Sequence, residues 1–118
     1  MVNFDLEERT AKFAEEIIDL CRKVKIGPLN IRIITQLIGS GGLIGANYCE
    51  ASEAESKKDF QHKMSISKKE IKETKHWLRL LARANPEYAA EARRLWLEAQ
   101  ELLLIFSKSI YTSRNPKV

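Results

Sequence analysis

The chain has 118 residues and 13.6 kDa, with 44% hydrophobic and 31% charged residues, a formal charge of +4 and a pI near 9.1. That is most simply a single domain over 1–118, long enough to bury its own core without disulfide or metal staples. A membrane span is excluded, because the longest strongly apolar run, LLLIF at 102–106, is far too short to cross a bilayer.

The chain opens on MVNFDLEERT, which is acidic and lacks a long apolar core, so no signal peptide is expected. Leu6, Phe13, Ile17, Leu20 and Val24 then recur at helical spacing and form one apolar stripe, predicting a first helix over about 5–24. Gly27, suited to a left-handed turn, and Pro28 end it. Asn30 is placed to cap a second helix over about 30–54. Cys21 and Cys49 belong to no C-x-x-C pair and sit in apolar helical patterns, where a free cysteine acts as a small buried hydrophobe. A reducing cytoplasm is the expected location.

Ser56 followed by Asp59 resembles a capping box and predicts a third helix over about 57–84. Phe60, Met64, Ser67, Ile71, Thr74, Leu78 and Leu81 follow a four-three spacing, the seam of a helix in a left-handed bundle. In ARANPEY, Asn85 caps and Pro86 takes the first position of a fourth helix over about 86–111. Tyr88, Ala92, Leu95, Ala99, Leu102 and Phe106 keep the same rhythm, and Trp96, Leu103 and Ile110 widen the apolar face. Residues 112–118 read as a flexible tail. Four helices with short turns predict an all-α, up-down-up-down four-helix bundle.

Four glycines fall in LIGSGGLIGANYCE, at 39, 41, 42 and 45. A phosphate-binding loop needs a lysine after its last glycine, and none appears before Lys57; the dinucleotide pattern fails because Ile44 stands where its third glycine belongs. Helical spacing explains the cluster better. Gly41 with Gly45, and Gly42 with Ala46, line a small-residue face that lets another helix or subunit approach closely.

The third helix carries the strongest charge. Nine Lys or Arg stand against three acids between Lys57 and Arg83, whereas the chain up to Val24 has six carboxylates against four basic residues. Lys68, Lys72, Lys75, Arg79 and Arg83 share one helical face and span about 22 Å, the scale of several backbone phosphates. They are candidates for nucleic-acid binding; the competing reading is a solvated face, or ion pairs with an acidic helix such as the first. Asp59-x-x-His62 and Glu73-x-x-His76 resemble halves of di-iron sites, but they share one helix about 21 Å apart and cannot form one dinuclear centre. No nucleophile motif is present. The expectation is a non-enzyme with no cofactor, no metal and no small-molecule substrate.

The blocks FDLEERTAKFAEEIIDLCRK, IGANYCEASEAESKKDFQHKMSISKKEIKETKHWLRLL and ANPE resemble the family encoded in intervening sequences of bacterial 23S rRNA genes, also labelled S23 ribosomal protein. The resemblance covers residues 4–111. It implies a bundle that assembles as a homopentamer, with no established enzymatic activity. The family is similar in turn to the basic accessory proteins of diversity-generating retroelements, which implies RNA or DNA as a partner. Gly39-Ser40-Gly41-Gly42 departs from the family, whose members tend to carry Arg before the small-residue run. Asn47 and Glu50, at matched positions, are read as polar packing residues at a helix interface. With Gly41, Gly42, Gly45, Ala46, Trp96 and Leu103 they form the expected packing and oligomer surface. The alternative function is an assembly scaffold whose basic stripe pairs with acidic helix faces.

Overall fold

The computed structural model describes residues 5–116. The described chain folds into α1 (Leu6–Lys23), α2 (Ile31–Ser52), α3 (Lys57–Ala84) and α4 (Ala89–Arg114), with a 3₁₀ turn at Pro86–Tyr88 leading into α4. Among the described residues no helix is long and apolar enough to cross a membrane.

Local chemistry sets most helix ends. The Asp5 carboxylate accepts from the Glu8 N–H at 3.0 Å, and Ser56 Oγ accepts from the Asp59 N–H at 3.0 Å, each satisfying a free donor of a first turn. Asn30 occupies the cap position of α2 but its side chain does not cap. Instead its Oδ1 accepts from the Gly27 N–H, and its Nδ2 donates to Lys25 O and to Asn85 Oδ1, each at 2.9–3.0 Å. Asn30 and Asn85 therefore clasp the α1–α2 turn to the α3–α4 turn. Gly27 does not use the left-handed region expected of it, since no described glycine has a positive φ. The fourth helix extends into the stretch expected to be a tail from 112. α4 runs through Arg114, where Asn115 closes the last turn by donating its N–H and its Nδ2 to Tyr111 O at 2.9 and 3.0 Å; residues 117–118 lie outside the described residues.

The helices run up, down, up and down around one core. Side-chain pairings show each neighbouring pair to be antiparallel: Glu50 with Lys63 and Ser40 with Thr74 between α2 and α3, Gln61 with Ser113 and Lys75 with Gln100 between α3 and α4. Arg9 with Glu98, Arg94 with Glu16 and Lys23 with Glu91 close α4 onto α1. The order around the bundle is thus α1, α2, α3, α4, with α1 and α3 diagonal. The α1–α2 furrow and the α3–α4 furrow lie on opposite sides.

The core is what the spacings demand. Leu6, Phe13, Ile17, Leu20 and Val24 of the first stripe are all buried, as are Met64, Ile71, Leu78 and Leu81 of α3 and Ala92, Leu95, Ala99, Leu102 and Phe106 of α4. Two seam positions of α3 are polar. Ser67 donates its hydroxyl to Ile44 O at 2.9 Å, and Thr74 donates to Ser40 Oγ at 2.9 Å. Each fixes α3 against α2, and among the described residues no buried hydroxyl is left unpartnered. Of the two free cysteines, Cys21 is buried as expected, but Cys49 is exposed because it lies on the outer side of α2.

Candidate nucleic-acid interface

The seam of α3 turns toward the bundle axis, so the residues on either flank of it face different neighbours. The flank toward α4 carries Lys68, Lys72, Lys75, Arg79 and Arg83, while Lys63, Glu70, Glu73 and Trp77 fall on the flank toward α2. Among the described residues none of the five cations makes an ion pair. Lys72, Arg79 and Arg83 are exposed, and Lys68 and Lys75 are half-buried. Lys75 is held by its own chain: its Nζ hydrogen-bonds Gln100 Oε1 and lies 4.4 Å from the centre of the Trp96 ring, a cation–π distance.

Among the described residues this row makes no ion pair with acidic α1. α1 stands diagonally across from α3, and its ion pairs run to α4. Arg9 contacts Glu98 at 2.9 Å and Glu101 at 2.8 Å, Glu16 contacts Arg94 at 3.6 Å, and Lys23 contacts Glu91 at 3.0 Å. The carboxylates hold the Arg9 guanidinium well above its usual pKa, the Glu98 hydrogen bond contributing most. Glu50 also pairs locally, reaching Lys63 at 2.6 Å across the α2–α3 contact. That hydrogen bond raises the Lys63 pKa.

α4 adds what the linear pattern of α3 did not contain. Arg93 and Trp96 come up beside Arg79, and with Leu78, Ala82 and Ala92 they line an open groove in the α3–α4 furrow. No carboxylate is among these residues. Only the antiparallel register of α3 and α4 brings them together, so no local sequence signal marks the groove.

The small-residue face of α2 divides in two. A Cβ at Gly41 would stand 2.6 Å from Ile17 Cδ1, and one at Gly45 would stand 2.9 Å from Thr10 Oγ1. These two glycines admit α1 of the same chain. Gly39 and Gly42 have nothing within 4 Å of such a Cβ. Gly42 and Ala46 point outward with Ile31, Thr35, Ile38 and Cys49. Gly42 and Ala46 also border, with Glu7, Ala11, Ala14 and Gly45, a shallow furrow between α1 and α2. Every exposed residue of α2 from 33 to 49 is uncharged. Asn47 donates Nδ2 to Leu43 O of its own helix at 2.9 Å, so it closes a local bond rather than bridging helices. Trp96 and Leu103 are half-buried against their own core, and the exposed apolar residues of α4 are Leu97, Leu104 and Tyr111.

Titration is perturbed in few places. Burial pushes the Cys21 thiol up to about 11, and burial with the nearby Glu73 carboxylate raises Glu70. His62 and His76 are exposed on α3, and among the described residues no three His, Cys, Asp or Glu side chains gather closely enough to hold a metal ion.

An all-α antiparallel bundle with a basic α3–α4 furrow and an uncharged stretch on the outer side of α2 is the class of protein these features define. The chain belongs to the 23S rRNA-intervening sequence protein family, whose model matches residues 3–108. Its fold is similar to the crystal structure of a protein of unknown function from the S23 ribosomal protein family of Bacteroides thetaiotaomicron VPI-5482. That similarity has a TM-score of 0.76 and 29% identity, over 88% of this chain and 96% of that one. No curated protein matches the chain.

Proposed function

We propose that this protein is a non-enzymatic, self-associating bundle that binds structured RNA or DNA through phosphates along the α3–α4 furrow. The observation that carries this reading is the row Lys68, Lys72, Lys75, Arg79 and Arg83, joined by Arg93 from α4, with no ion pair among the described residues. Cations at helical spacing over about 22 Å meet phosphates at several points, and release of counterions then drives binding. The exposed, uncharged outer side of α2 supports self-association, since charged residues are depleted at the centre of protein interfaces. Membership of a family named for rRNA intervening sequences makes structured rRNA a fitting first probe.

The test is a fluorescence-anisotropy titration with a structured rRNA fragment, at about 50 to 200 mM salt. Tight binding with a steep log–log salt slope is expected. Replacing Lys72 and Arg79 with Glu should flatten that slope while the assembly stays intact. If the same variant instead dissociates the assembly, the row pairs with carboxylates of a neighbouring copy, and the protein acts as a scaffold.

A further inference from the structure

The α3–α4 groove differs chemically from the rest of the basic row. Its floor is apolar, made by Leu78, Ala82 and Ala92; its wall is the Trp96 indole; and Arg79 and Arg93 stand at its rim. Trp96 is half-buried against its own core, and its indole also lines this groove together with the side chains of Arg79 and Arg93. Phosphate oxygens take hydrogen bonds and charge, whereas an indole offers a flat π surface.

We propose that this groove takes one unpaired nucleotide, its base stacked on Trp96 and its flanking phosphates held by Arg79 and Arg93. This rests on the phosphate-binding reading above and adds to it a preference for unpaired bases. In a duplex both faces of a base are covered by its neighbours, so only a base splayed from a loop, bulge or single strand can lie on an aromatic side chain. The Lys75 ammonium 4.4 Å from the Trp96 ring centre already occupies a π-directed position there. On binding, the base takes over the indole contact and the ammonium is free to turn to a phosphate. Because stacking uses a π face common to every base, the site distinguishes paired from unpaired nucleotides and reads little sequence.

The experiment uses the full chain carrying Trp77→Phe, which leaves Trp96 as the sole indole of the two. Its emission is followed during titration with single-stranded RNA of about ten nucleotides, the abasic strand with the same phosphates, and a duplex of equal length. The single strand should quench Trp96 and bind more tightly than the abasic strand. Trp96→Ala should weaken single-strand binding by about tenfold and leave duplex binding unchanged. Should Trp96→Ala fail to fold, the comparison of single strand with abasic strand on the Trp77→Phe protein decides the matter. Equal binding of all three probes without quenching overturns this inference and leaves the phosphate-binding reading standing. Absence of binding by any probe at low salt removes both. Dissociation of the assembly by Arg79→Glu with Arg93→Glu would make the groove a contact between copies, which also overturns it.

Discussion

Thr74 Oγ1 donates to Ser40 Oγ across 2.9 Å between α3 and α2, and the two residues are 0% and 3% exposed. A valine at 74 or an alanine at 40 would be the ordinary bundle solution. The hydroxyl pair instead ties one height of α3 to one height of α2. Thr74→Val and Ser40→Ala should each lower stability by about 1 kcal/mol, because each leaves a buried hydroxyl short of a partner. The double variant should lose less than the sum of the two. Urea denaturation of the four proteins in a double-mutant cycle measures the difference.

The α2 glycines should respond in opposite directions. Gly39→Ala meets open space and should raise stability by about 0.5–1 kcal/mol through backbone entropy alone. Gly45→Ala meets Thr10, whose hydroxyl is held to Leu6 O at 2.6 Å and whose Cβ would lie 3.3 Å away. Overpacking there should outweigh the helical gain and cost about 1 kcal/mol net. Thermal unfolding of the two variants side by side gives the sign directly.

What the sequence disclosed follows physical range. The four-three seam of α3 was legible, including its polar members Ser67 and Thr74, because each seam position is defined by neighbours on its own helix. The small-residue face was legible as a face, but not which half of it met α1, since periodicity fixes sides of a helix and not what stands beside them. Asn30 looked like a cap because its better partner, Asn85, is 55 residues away. Cys49 looked buried for want of the same information. Trp96 and Arg93 entered the basic furrow only through the register of α3 against α4.

If the outer side of α2 joins copies, a charge there should separate them. Ile38→Lys with Ala46→Glu should give a helical protein of lower mass by analytical ultracentrifugation, since neither side chain is part of the buried core. Cys49 supplies a second readout. In the dissociated variant it should react with a thiol reagent at the rate of an exposed cysteine, and in the assembly more slowly. Cys21, buried and with its thiol raised to about 11, should react in both only on unfolding.

Glu70 sets a pH dependence. Burial, then repulsion by Glu73, raises its folded pKa above the unfolded value. Its ionisation therefore disfavours the folded state, and the stability present below the unfolded pKa is lost as pH rises through the folded one. Glu70→Gln removes that loss. Its thermal midpoint should exceed that of the parent at neutral pH, and the gap should close as pH falls below the normal carboxylate range. A gap that is constant with pH would mean the side chain acts by packing alone.

The cyclic order of the helices has a consequence for any closed assembly. Because the α1–α2 side and the cationic α3–α4 furrow back onto opposite sides of each bundle, copies that meet through α1 and α2 would turn the row from Lys68 to Arg83, with Arg93, to the perimeter. The contacts between such copies would be made by Ile38, Gly42 and Ala46 with Glu7 at their edge, and the outer rim would be a positively charged track running from one copy to the next.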